Sequence, residues 1–198
     1  MSVGLGASMA VATPPTFEPF EVAEAKLWSN VFHQDDDAEI GRLITMARRK
    51  VENDTRLFLP SQTINQSMDR VPCGGDPIPI FAAPLASVVS ITAYAEDDTS
   101  SVFAASNYFV DTTRVPGRIC LKQGCSWPTG LRRRVALVIQ VTVGSAAASI
   151  PAEFKLAMRL LIENWYGNRD GSLSEDVERG YRALIGPSVL HFIGEEAA

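Results

Sequence analysis

The side chains that could do chemistry are few, and their spacing does not favour it. Cys73, Cys120 and Cys125 are the three cysteines of the chain, and no two form a Cys-x-x-Cys pair. An odd, scattered set supplies neither a secreted disulfide framework nor a zinc ribbon, so the pattern predicts reduced thiols in a cytoplasmic setting. Cys120 and Cys125 flank a predicted turn, where a labile disulfide is the alternative to two small packed side chains. His33 and His191 are the two histidines. Neither has a second metal-type ligand at metal-binding spacing. A nucleophilic pair of Cys125 or Cys73 with a histidine needs only proximity in space, which keeps a small cytoplasmic enzyme among the function classes.

Motifs that would place reactive groups at a mechanically required spacing are absent: there is no GxxxxGK[ST] phosphate loop, no GxSxG elbow and no HExxH helix. Gly4-Leu5-Gly6 begins like a dinucleotide fingerprint but lacks the third glycine and the preceding strand. Clustered carboxylates at Glu96-Asp97-Asp98 could gather a cation, yet they lack the alternating spacing of a calcium loop and predict a solvated turn. Arg132-Arg133-Arg134 is the one basic cluster whose forked donors could touch phosphate or an acidic partner, the competing expectation being a solvated lead into a strand. The residues thus predict no catalytic group, no metal site and no cofactor. A net charge of -5 opposes a large phosphate-binding surface, because nonspecific nucleic-acid binding rests on neutralising many phosphates.

The elements that would position these residues can be read from apolar spacing. With 198 residues and 46% hydrophobic content the chain has material for a core. Met1 to Ala12 is small and apolar without a basic segment before it, unlike a secretory signal, and residues 1–19 are expected to be a flexible arm. No apolar run approaches the roughly 18 residues of a bilayer span, so no membrane partner is expected. Ala23, Leu27 and Val31 predict a first helix over about 20–33. Asp36 and Glu39 imitate a capping box before a second helix, about 36–53, whose stripe is Ile40, Leu43, Ile44, Ala47 and Val51. Pro151 opens a third, about 151–167, carrying Phe154, Ala157, Met158, Leu161, Ile162 and Trp165. Ser174, Val177, Tyr181 and Leu184 predict a fourth over 174–185, ended by Gly186-Pro187.

Between the second and third helices the prolines and glycines forbid long helices, and β-rich runs appear at Gln62–Asp69, Ile78–Phe81, Val88–Ala95, Tyr108–Asp111, Arg118–Leu121 and Arg134–Val143. In the last, Val135, Leu137, Ile139, Val141 and Val143 share one face, which must be buried. The class is α+β.

Several phrases occur in an order that resembles the head-to-tail connector, or adaptor, proteins of tailed phages and phage-like gene transfer particles. They are Phe20-Glu-Val-Ala-Glu-Ala-Lys26, Asp36-Asp37-Ala-Glu-Ile40, Ala47-Arg-Arg-Lys-Val-Glu52, Tyr108-Phe-Val-Asp111, Trp127-Pro128, Val143-Gly144, Ile150-Pro-Ala-Glu-Phe-Lys-Leu-Ala157 and Asn168-Arg169. These are packing and capping residues, so the likeness lies in their joint order from Phe20 to Arg169. The resemblance implies a small helical bundle with a β-rich insertion, about 60–145, between the second and third helices, all within one connector domain over 20–185. It further implies a structural virion protein of the neck, made in the host cytoplasm and assembled as a dodecameric ring of its own copies. Such a ring would bind the portal ring and a stopper or tail-completion protein, and pass duplex DNA through its lumen without specific binding. A monomeric protein-binding adaptor of cellular origin is the other alternative.

The segment 186–198 is expected to be a tail. Val189, Leu190, Phe192 and Ile193 follow the Gly186-Pro187 break with too little chain left for a core of their own, which makes them candidate partner-binding residues. Burying each could contribute about 1.5 to 3 kcal/mol, against about 1 to 2 kcal/mol per residue for ordering the backbone. One tail therefore binds modestly, and many on one ring bind well.

Overall fold

The computed structural model describes residues 6–168 and 171–190, and these fall into two compact units. Residues 16–60 and 145–190 form a helical unit, and residues 6–15 and 61–144 a sheet unit.

The helical unit holds α1 (Val22–Trp28), α2 (Asp37–Thr55), α3 (Ala152–Gly167) and α4 (Glu175–Ile185). The apolar stripes fold inward: Ile40, Ile44, Ala47 and Val51 of α2 and Ala157, Met158, Leu161 and Ile162 of α3 are all buried, joined by Tyr181 and Ile185 of α4. α1 is shorter than its spacing predicts, because Asn30 turns left-handed at φ 53 after Trp28 and puts His33 in the following loop. The capping box also fails. Asp36 makes no side-chain cap and accepts instead from the Tyr166 hydroxyl at 2.6 Å, while Glu39 pairs with Arg42 at 2.9 Å. Ser174 does cap α4, its hydroxyl oxygen accepting from the Val177 N–H at 3.4 Å.

One charge sits inside this core. Arg48, 5% exposed, donates from Nε to Glu18 at 2.7 Å and from Nη1 to Glu52 at 2.7 Å. Glu18 also accepts from the Thr45 hydroxyl at 3.0 Å, and Glu52 from the Leu59 N–H at 2.9 Å. The guanidinium thus ties the segment before α1 and the segment after α2 to the middle of α2, with its lost hydration replaced by two carboxylates. Burial pushes the Glu52 carboxyl above its ordinary value, with the Leu59 N–H and Arg48 pulling it back. Near the same end, Ser145 donates to the Leu59 carbonyl at 2.9 Å and Pro60 forms a parallel bridge with Ser145.

The sheet unit contains β1 (Ala7–Thr13), β2 (Gln62–Met68), β3 (Ile78–Pro79), β4 (Leu85–Tyr94), β5 (Ser100–Val102), β6 (Tyr108–Asp111), β7 (Arg118–Leu121) and β8 (Leu137–Val143). A five-stranded antiparallel sheet runs β1-β2-β8-β4-β5, and a three-stranded one runs β3-β7-β6. β8 is central, with Ile64–Val141–Val88 and Gln66–Ile139–Ile91 as cross-strand rows. It starts later than expected: Val135 has φ +50, so the strand cannot reach back to Arg134. Gln66 is buried among apolar neighbours with both ends of its amide satisfied, donating to the Pro79 carbonyl at 2.9 Å and accepting from the Phe81 N–H at 2.8 Å. The arm expected over 1–19 is corrected here, since Ala7–Thr13 pairs with β2 as a strand, and β5 is a second strand the sequence did not reveal.

Two substitutions test the helical core. Leu161→Ala, at a fully buried position, should lower unfolding free energy in urea by about 2 to 5 kcal/mol, whereas Leu156→Ala on the same helix, 45% exposed, should change it little. Arg48→Ala should cost about 3 to 5 kcal/mol near neutral pH by leaving two carboxylates without their cation. The folded variant would then hold a proton on Glu52 more tightly than the unfolded chain does, so its stability falls as pH rises. Its deficit against the wild type should accordingly be smaller at pH 5 than at pH 8 in parallel urea titrations.

Candidate functional site

The basic cluster lies where the chain enters β8, and its three arginines have different roles. Arg132 is a clamp: its guanidinium lies 4.1 Å from the Tyr94 ring centroid, Nη1 meets Asp98 at 3.0 Å, and Nε donates to the Val135 carbonyl at 3.0 Å. Its own N–H donates to the Tyr94 carbonyl at 3.1 Å, so this arginine joins the loop to the β4–β5 hairpin. Arg134 reaches Asp69 at 3.5 Å with a side chain 88% exposed, and Asp69 also accepts from the Val135 N–H at 2.9 Å. Arg133 is exposed and has no partner among the described residues. An open groove of about 500 Å³ runs beside it, lined by Asp69, Arg70, Pro128, Gly130 and Leu131 among others. Asp69 and Asp98 offset much of the positive potential here, leaving Arg133 as the one arginine of the three without a partner among the described residues and Arg134 exposed in a long pair with Asp69.

The acidic run is the turn of the β4–β5 hairpin. Ala95 donates to the Thr99 carbonyl at 2.9 Å, Asp98 takes a left-handed φ of 64, and Asp97 accepts from the Thr99 N–H at 3.0 Å. That N–H and the Thr99 hydroxyl hold the Asp97 carboxyl below its ordinary value. These bonds are a turn's own, and among the described residues no three His, Cys, Asp or Glu side chains gather as a metal site.

The cysteines and histidines are likewise placed. Cys73 is exposed, Cys120 and Cys125 are half-buried, all three are free thiols in the sheet unit, and the Cys125 sulfur lies 4.0 Å from the Asn107 side-chain oxygen. His33 belongs to the helical unit, its ring nitrogens 3.9 and 3.8 Å from Asp35 and Asp36. His191 lies outside the described residues.

The tail divides at the same point. Val189 and Leu190 are half-buried, and the Leu190 N–H donates to the Thr55 carbonyl at 3.0 Å, closing one of the open carbonyls at the end of α2. Phe192 and Ile193 lie outside the described residues. Of the four candidate docking residues, the first two are therefore tied to their own chain. The residues that sequence reasoning missed are those of β1, whose alternating Met9 and Val11 among small neighbours, with no proline or charge, were the available signal.

No protein-family model matches the chain, and no curated protein matches its sequence. Solved structures do. The chain has the fold of proteins in gene transfer agent particles. A chain in the neck of the empty particle, computed with C6 symmetry, superimposes with a TM-score of 0.78 at 19% identity, covering 94% of this chain and 98% of that one. A chain in the virion of the native particle gives 0.76 at 19% identity, over 94% and 97%. A chain in the neck of the native particle, computed with C12 symmetry, gives 0.69 at 24% identity, over 95% and 97%. At these identities the likeness is one of fold, and it extends over nearly the whole of each chain.

The arginine geometry has a direct consequence for binding. Arg133→Ala and Arg134→Ala should each weaken duplex DNA binding at low salt and reduce the salt slope by about one unit, while Arg132→Ala should instead lower the melting temperature by releasing the loop. Filter binding across a salt series, beside calorimetry, separates the two effects.

Proposed function

We propose that the chain is a structural protein of the neck of a phage-like particle, a ring adaptor that joins the portal to the stopper or tail and extends the DNA channel. The observation that carries this reading is the fold shared from end to end with neck chains of gene transfer agent particles. The neighbours' C6 and C12 symmetry supports a ring of twelve copies here. In this reading the helical unit is the bundle, and residues 61–144 of the sheet unit are its insertion between α2 and α3, with β1 coming before α1. The work is mechanical and needs no cofactor: copies hold one another, the portal ring lies on one side, and the stopper or tail-completion protein on the other. The site of action is the virion neck, after synthesis in the host cytoplasm.

The net charge of -5 suits a conduit, since a lumen that attracted phosphates strongly would hold DNA instead of passing it. Arg133 and Arg134, with Arg132 fixing their loop, are the proposed contact to phosphate or an acidic neighbour. The tail is the proposed portal contact, with Phe192 and Ile193 as its docking pair and Val189 and Leu190 as the hinge that aims them.

Two truncations test this division of labour. A chain ending after Leu190 keeps the bond to Thr55 and should melt like the wild type, yet should be missing from purified particles. A chain ending after Gly186 should lose both docking and some stability. Particle imaging that finds the Leu190 truncation at wild-type occupancy removes the tail from the docking role, and particles whose necks never contain the full-length chain overturn the proposed function.

A further inference from the structure

β1 is the least explained element of the sheet unit. All seven of its residues are exposed on both faces, including Met9 at 49% and Val11 at 55%. Among the described residues its only strand partner is β2, so its other edge presents N–H and C=O groups that no described strand pairs. Exposed edges in stable proteins are ordinarily guarded by lysine, proline, a bulge or a covering loop; Ala7–Thr13 contains neither a charge nor a proline, and its one register shift lies at its far end, between Val11 and Thr13, leaving Ala7–Val11 in unbroken register. Ordering seven residues costs backbone entropy, and little burial within this chain offsets it. The strand is nevertheless specified: Gly6 takes φ +55 beside Asp69, whose N–H donates to the Gly6 carbonyl at 3.3 Å, and a Cβ at Gly6 would come within 2.7 Å of the Asp69 carboxylate.

The sheet face next to this edge is also neutral. The cross-strand rows Ser8–Ser67–Val138 and Ala10–Asn65–Gln140 carry no charge, although the chain is 21% charged. Within the second row, the buried side-chain oxygen of Asn65 has no donor among the described residues. A partner found by charge would not choose such a surface, whereas one that adds a strand uses backbone bonds and a flat neutral face. The sheet has two unlike ends, the long β1 and the short β5 with Val102 71% exposed. Alternate antiparallel pairing across five strands makes β1 and β5 run the same way, so a rotation that repeats the molecule brings one end alongside the other. Cyclic assemblies require two unlike surfaces of this kind, and β1 against β1 would close as a dimer.

We propose that the free edge of β1 is the seam between copies of this chain, docking against the β5 end of the next copy so that the sheet continues around a ring. The inference rests on the ring reading above and names the surfaces that make the ring.

The test is self-association measured by sedimentation velocity over a concentration series. Met9→Lys with Val11→Lys, and separately Val102→Lys, should each weaken association at least tenfold with unchanged melting temperature, since every altered side chain is exposed. Leu27→Lys, at another exposed apolar position in the helical unit, should associate as the wild type does. Mixing the two seam variants should stop at dimers, because each retains one working surface. A wild-type chain that stays monomeric to high micromolar concentration, a double-lysine chain that associates normally, or a Val102→Lys chain that associates normally overturns the seam. Particle imaging keeps the two readings apart: wild-type and double-lysine chains both forming complete neck rings sink the seam alone, and a wild-type chain that associates, is weakened by the lysine substitutions and is never found in necks sinks the neck reading alone.

Discussion

Leu137, Ile139, Val141 and Val143 of β8 alternate with Val138, Gln140 and Thr142, and the sheet unit depends on that alternation. β8 pairs with β2 on one side and β4 on the other, so its register sets theirs. A slip by one residue would turn four fully buried apolar side chains to solvent and bring a glutamine and a threonine inward. Gln66, which shares the buried face of β2 with Gln62, is tolerated because both ends of its amide are occupied by the Pro79–Phe81 backbone. Satisfying that amide also fixes where the chain passes toward the three-stranded sheet, so a single polar side chain converts strand register into loop position.

The helical unit solves a different problem with a similar device. Its helices bury apolar stripes, which give stability but little discrimination among neighbouring arrangements. Arg48 adds the discrimination. With Glu18 and Glu52 it demands two carboxylates at one place, one from before α1 and one a turn along α2, and Glu52 in turn engages the backbone of Leu59. An alternative packing that displaced either segment would leave a buried charge uncompensated. Asp36 with Tyr166 at 2.6 Å and Asp54 with Tyr181 at 2.7 Å tie α3 and α4 back to α2 in the same manner.

What was legible in the sequence is what is local. The stripes of α2 and α3 and the alternation of β8 appear in any window that covers them, because their periods follow from backbone geometry. β1 was barely legible: Val11 and Thr13 favour strands, but Ala7, Ser8, Ala10 and Ala12 do not, and the segment is a strand because β2, about fifty residues away, lies beside it. Asp36 looked like a helix cap until a tyrosine far along the chain claimed its carboxylate. Arg132 to Arg134 could be recognised as a basic cluster, but their partners Asp98 and Asp69 lie 34 and 65 residues away, so their separate roles required the fold. The tail's apolar residues were visible, and the bond that fastens Leu190 to Thr55 was not.

The bridge between Pro60 and Ser145 bears on how such a chain can evolve. The points at which the chain leaves the helical unit and returns to it are already hydrogen-bonded neighbours, Ser145 to Leu59 at 2.9 Å. Whatever lies between them is a loop closed by the helical unit itself, and the entropy of closing a loop grows only with the logarithm of its length. Residues 61–144 can therefore lengthen, shorten or be exchanged with little cost to the helices that carry them.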